Sequence, residues 1–153
     1  MTNLATFLTS SAASSPEVVA VRLDDYSMTY RELDDAAARM VTVLREQGYQ
    51  PGDRVAVMLP NVPAFVVVYY AVLRAGGVVV PMNPLLKGRE VGFYLGNSGA
   101  SIIVAWHDVI DAAIEGARDS GTKVITVDEG FGDRVAAADP DPHVAVRDAK
   151  DTR

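Results

Sequence analysis

The chain has no cysteine, which excludes disulfides, thiolate metal sites and cysteine nucleophiles together. It has two histidines, His107 and His143, and neither stands beside a second ligand type at metal-binding spacing. Both read as surface or helix-cap residues, so no metal site and no histidine base is expected. No Gly-x-x-x-x-Gly-Lys-Ser/Thr loop occurs, no Gly-x-Gly-x-x-Gly follows a strand, and no Gly-x-Ser-x-Gly elbow is present. Positive charge is also short, with 14 basic residues against 20 acidic ones and a net charge of −6. That balance excludes a general nucleic-acid binder, which needs a basic face to neutralise phosphates. The longest apolar run, Val62 to Leu73, is interrupted by Pro63 and closed by Arg74. It falls short of the roughly 20 residues that span a bilayer. The first residues, Met1-Thr2-Asn3-Leu4, carry no positive segment of a secretory signal. The expected location is the cytoplasm.

What is present is a globular composition, 49% apolar and 22% charged over 153 residues, enough for one packed domain. Leu4, Phe7, Leu8 and Ser11 share a helical face, with Asn3 as N-cap and Ser14-Ser15-Pro16 as the stop. Val18 to Leu23 reads as a strand, followed by a turn at Asp24-Asp25. Thr29 and Glu32 form a capping-box pair, and Leu33, Ala36, Ala37, Met40, Val41 and Leu44 repeat with a period near 3.6. The spacing predicts a helix over Tyr30 to Gln47, with Gly48 as its left-handed terminator. Arg54 to Leu59 is a short buried strand stopped by Pro60. Val62 to Ala75 is a helix apolar nearly all round, expected to be buried on most faces. Val78 to Val80, Ser101 to Ala105 and Lys123 to Val127 read as further strands. Helices over Glu90 to Asn97, starting a few residues earlier, and over His107 to Ser120 separate them. Four apolar strands alternating with helices predict an α/β fold, a parallel sheet with helical crossovers. The carboxylate pairs Asp24/Asp25 and Asp34/Asp35 sit in a turn and on a polar helix face, so they read as solvated charges rather than an acid/base pair.

Several segments then occur in a recognisable order. Met28-Thr29-Tyr30-Arg31-Glu32-Leu33 is followed by Gly52-Asp53-Arg54-Val55-Ala56-Val57 and by Pro60-Asn61 with Phe65. Leu73-Arg74-Ala75-Gly76-Gly77-Val78-Val79-Val80-Pro81-Met82-Asn83-Pro84 comes next, then Asn97-Ser98-Gly99-Ala100. Over about residues 1–127 this series resembles the N-terminal region of adenylate-forming (AMP-binding) enzymes. The Asn83-Pro84 and Asn97 to Ala100 segments look more like acyl-CoA synthetases of fatty acids than like peptide-synthetase adenylation domains. Luciferase-like enzymes share much of the same pattern.

The resemblance implies a partial N-terminal AMP-binding domain at residues 1–138. It implies a linker at 139–153 leading to a phosphate-binding segment that the chain does not contain. The full-length enzyme would use ATP, Mg2+ and CoA to convert a fatty acid to its acyl-CoA in two steps. None of these ligands is expected to bind this chain alone, and no catalytic residue is assigned in it. Some relatives place a cation just after the Asn-Pro pair against the CoA phosphate. Here that position is Leu85, leaving Lys87 or Arg89 to reach instead, with a solvated charge at a helix start as the plainer role. Tyr69 and Tyr70 could line an acyl tunnel, or could simply pack in the core. The expected partner is the remainder of the adenylate-forming domain. The alternative is a non-catalytic module that binds a partner or self-associates through exposed apolar surface.

Overall fold

A computed structural model describes residues 4–145. The proposed cap Asn3 and the stretch 146–153 lie outside the described residues. Helix α1 (Ala5–Ser14) leads into an antiparallel hairpin of β1 (Val19–Leu23) and β2 (Tyr26–Thr29). The hairpin turns at Asp24, whose φ of 53° lies in the left-handed region that aspartate tolerates better than most side chains. The second strand was not expected. It is short and runs directly into the cap of the next helix, so its period of two has no room to declare itself.

Helix α2 (Tyr30–Glu46) begins as the sequence predicts. The Thr29 N–H donates to Glu32 Oε1 at 2.9 Å, and the Glu32 N–H donates to Thr29 Oγ1 at 3.2 Å. Its apolar stripe is buried, with Leu33, Ala37, Met40, Val41 and Leu44 all at 2% exposure or less. Strand β3 (Arg54–Met58), helix α3 (Pro63–Arg74), strand β4 (Val78–Pro81), helix α4 (Gly88–Ser98) and strand β5 (Ile102–Trp106) follow. A short 3-10 turn at His107–Val109 opens onto helix α5 (Ile110–Ser120), and strand β6 (Lys123–Val127) and helix α6 (Phe131–Ala137) complete the described elements. Helix α6 was also unforeseen. Its seven residues begin without a side-chain cap, and only Phe131 and Val135, one turn apart, are buried.

The four strands β3 to β6 form one parallel sheet in the order β4-β3-β5-β6. Side chains alternate between its two faces. Val55 and Val57 of β3 join a core with α2 and α3, whereas Ala56 and Met58 join a second core with α4 and α5. Helices on both faces explain why β3 and β5 read as continuous apolar runs. Helix α3 departs from expectation. Val67, Val68, Ala71 and Val72 are buried, but Phe65, Val66, Tyr69, Tyr70 and Leu73 are only half-buried. Its outer face is apolar and half-buried.

Candidate functional site

Strand order locates the site. From β3 the chain crosses on one face to β4, then on the other face to β5 and on to β6. The connections therefore diverge between β3 and β5. Open parallel sheets bind ligands in the crevice beyond the carboxyl ends of such strands. Four loops meet that edge: 59–62, 82–87, 107–109 and 128–130. Register sets Met58 beside Ala105, so the loop carrying Pro60 and Asn61 leaves the sheet next to the turn carrying His107 and Asp108. His107 Nδ1 lies 3.1 Å from Asp108 Oδ1, and both side chains are exposed. The His107 ring centroid is 4.5 Å from that of Trp106.

The loop after β4 is shaped by its own polar groups. Asn83 Oδ1 accepts the Leu85 N–H at 2.8 Å, the local turn that asparagine favours. Leu85 is left 84% exposed. The Lys87 N–H donates to Glu90 Oε1 at 3.0 Å, closing the first turn of α4. The Lys87 side chain is exposed and borders a cleft of about 430 Å³ that it shares with Asp108, Asp111 and Glu115. Three carboxylates against one ammonium make that cleft acidic. Arg89 is exposed and has no ion pair among the described residues. A second cleft of about 560 Å³ opens beside it, lined by Val80, Met82, Asn83, Leu86, Tyr94 and Asn97. A third, about 470 Å³ and largely apolar, lies elsewhere, between the hairpin, α2, the start of α3 and α6.

Tyr69 stacks on Phe65 at 6.4 Å and meets Tyr70 edge-on at 5.5 Å. Tyr70 also packs against the core shared by α2 and α3. Neither tyrosine lines any of these three clefts. Lys87 and Arg89 thus fall at one helix start, and the two tyrosines fall on a different helix. His107, Asp108 and Asn61 were not picked out as a group from the sequence. Only the parallel register of β3 with β5 brings their loops together. Among the described residues no group of three His, Asp or Glu side chains could hold a metal ion. No helix there is long and apolar enough to cross a membrane.

The glycines with positive φ (Gly48, Gly52, Gly76, Gly99 and Gly121) all precede strands, at the amino edge of the sheet. A phosphate cradle of successive backbone N–H groups needs such conformations at the carboxyl edge. None occurs there among the described residues.

The fold and its carboxyl-edge crevice define a doubly wound α/β unit of the ligand-binding kind. The family model described as "AMP-binding enzyme" matches residues 8–152, and the chain belongs to that family. It is 38% identical over 112 residues to a long-chain-fatty-acid–CoA ligase of Bacillus subtilis, covering 73% of this chain and 20% of that protein. It is 34% identical over 119 residues to tyrocidine synthase 3 of Brevibacillus parabrevis, covering 77% of this chain and 2% of that protein. The crystal structure of a benzoate CoA ligase from Burkholderia xenovorans superposes with a TM-score of 0.89 at 25% identity, covering 97% of this chain and 31% of the ligase. The chain spans about a fifth of the length of the fatty-acid ligase it matches.

Proposed function

We propose that this chain is the N-terminal part of an ATP-dependent acyl-CoA ligase that works on a fatty acid in the cytoplasm and is inactive by itself. In the complete reaction a carboxylate attacks ATP to give an acyl-adenylate and pyrophosphate, and the CoA thiol then displaces AMP. The observation that carries this reading is the likeness to a CoA ligase over nearly the whole chain.

The residues present do not fit ATP, since no N–H cradle for its phosphates stands at the carboxyl edge among the described residues. Among the described residues no cluster of three His, Asp or Glu side chains stands ready for magnesium either. A CoA phosphate is met in part. The eleven-residue helix α4 presents its amino end beside the exposed Lys87 and Arg89. Arg89 is the better candidate, because Lys87 faces Asp108, Asp111 and Glu115 across their shared cleft. Of the two tyrosines proposed for the acyl chain, Tyr69 is half-buried on α3 and Tyr70 packs against the core. In this reading residues 1–138 belong to the larger domain and 139–153 lead to its phosphate-binding segment. The half-buried apolar face of α3 and the free edge of β4 then receive the rest of that domain. In isolation the same surfaces self-associate.

Translating the gene beyond codon 153 tests the reading directly. A Ser/Thr/Gly-rich stretch ending in Pro-Lys-Gly within a few dozen codons supports it. A genuine stop with no such stretch overturns it. Calorimetric titration of the chain with ATP–Mg2+ or CoA should show no binding in either case.

A further inference from the structure

The segment 139–145 is held far more firmly than its sequence suggests. Arg45 of α2 and Arg74 of α3 grip it, and Arg39 of α2 holds the residues just before it. Arg39 of α2 donates through Nη1 to the carbonyls of Ala136 at 3.2 Å and Ala138 at 2.7 Å, just before the segment begins. Thr42 Oγ1 donates to the Asp139 carbonyl at 2.6 Å. Arg45 pairs with the Asp141 carboxylate, whose other oxygen accepts the His143 N–H at 2.9 Å. Arg74, near the end of α3, is only 5% exposed. Its Nη1 reaches Asp34 Oδ1 at 2.8 Å, its Nε the Asp141 carbonyl at 3.2 Å and its Nη2 the Pro142 carbonyl at 3.4 Å. The backbone joins in, with the Asp141 N–H donating to the Ala38 carbonyl at 3.0 Å and the Ala145 N–H to the Arg74 carbonyl at 2.9 Å.

Two physical features make this more than incidental packing. A buried guanidinium must have its charge balanced and its donors satisfied, and here one carboxylate and two carbonyls do both. The last carbonyls of a helix have no partner within the helix, and the Ala145 N–H supplies one to α3. The strap and the end of α3 therefore complete each other.

We propose that Arg74 is a positioning residue. With Arg39 and Arg45 it forms a latch that fixes the path of 139–145, so that the chain leaves at Ala145 beside the end of α3, at the foot of the free-edged strand β4. In the ligase reading this sets where the approach to the phosphate-binding segment starts, and that consequence rests on the reading. The latch itself does not.

Amide hydrogen exchange on the 153-residue chain tests it, with Asp141, His143 and Ala145 as reporters and Val55 to Met58 as the internal control. Arg74→Lys keeps a cation for Asp34 but loses the planar fork that reaches two carbonyls at once. It should speed exchange at Asp141 and Ala145 roughly ten- to hundredfold while the control amides hold. Asp34→Asn leaves the buried guanidinium without its balancing charge and should also speed exchange at the strap amides. Strap protection unchanged in Arg74→Lys would overturn the proposal, because charge balance alone would then explain the arginine. Should that variant not fold, Arg45→Gln at a half-exposed side chain gives the second reading. Faster exchange at Asp141 and His143 supports the latch, and unchanged exchange refutes it. Neither outcome depends on whether a ligase sequence follows codon 153.

Discussion

Substituting Gly116 in α5 is a severe test of the packing that positions α4 and its two cations. A methyl group built on Gly116 would lie 2.5 Å from Val91 Cγ1, 2.6 Å from Val91 Cβ and 2.7 Å from the Gly92 nitrogen. Carbon atoms in contact prefer about 3.5–4.0 Å, so the helices must part by roughly 1 Å. One obstacle is backbone, so a change of rotamer cannot absorb the strain. Overpacking of this kind costs about 1–3 kcal/mol, and a gap of 0.5–1 Å forfeits about a quarter to a half of each neighbouring contact. Against this stands the helix-propensity gain of alanine over glycine, about 1 kcal/mol. A net destabilisation of up to about 2 kcal/mol remains, or up to roughly 8 °C in melting temperature for a chain of this size. Gly96 of α4 is the matched control, because nothing lies within 4 Å of its added methyl. Gly96→Ala should stabilise by about 0.5–1 kcal/mol. Thermal and urea unfolding followed by far-ultraviolet circular dichroism reads both. If Gly116→Ala melts above the wild type while Gly96→Ala rises as expected, α4 and α5 do not cross this closely and the placement of Lys87 beside Asp111 and Glu115 loses its support.

Thr29→Ala removes the hydroxyl that accepts the Glu32 N–H and should cost about 1 kcal/mol in urea unfolding. The Glu32 carboxyl is held below its ordinary pKa of 4.5, first by the Thr29 backbone N–H and then by the Thr29 hydroxyl. Its contribution is therefore full above the unfolded value and is lost as pH falls through the lower folded one, and Glu32→Gln should flatten that part of the acid profile. Tyr49→Phe deletes the buried bond from its hydroxyl to the Ala75 carbonyl at 2.8 Å, with an expected loss of about 1–2 kcal/mol in the same assay. If the isolated chain associates through the edge of β4, Val78→Lys, at a valine packed against neither core, should reduce that association in light scattering. Unaltered association would show that another surface is responsible.

Helix α2 was legible because its determinants are local, with a capping box at one end and a buried stripe within. Strand β2 and helix α6 were not, because both depend on packing. The hairpin rests on α2, and α6 buries only Phe131 and Val135 and is tied to α2 through the Ala136 carbonyl. The family segments were legible as an ordered series, yet the surroundings of Lys87 were not. Asp108, Asp111 and Glu115 arrive from a turn and helix more than twenty residues further on. Sequence spacing around Lys87 suggests a free cation, whereas the crossing of α4 and α5 makes its neighbourhood acidic. Arg74 shows the same limit in reverse. It read as the charge that closes an apolar run, and it is the most buried charged side chain among the described residues.

The order of the strands sharpens what the apolar runs mean. Val55 to Met58 and Ile102 to Ala105 are continuous apolar runs, and both strands are central and buried on both faces. Lys123-Val124-Ile125-Thr126-Val127 mixes polar with apolar residues, as suits an edge, and β6 is one. Strand β4 breaks the correspondence. Val78-Val79-Val80 has the composition of a central strand, yet it stands at the edge with all three valines half-buried. Edge strands of soluble proteins are normally blunted by charge, bulges or cover. Proline at Pro81 is the only such device in β4, and it comes at the last residue. The adjoining face of α3 shows the same excess of apolar surface through Phe65, Val66, Tyr69 and Leu73. Two neighbouring elements thus combine interior composition with half-buried positions among the described residues. The strap meets the end of α3 at Arg74, four residues of chain before the start of β4.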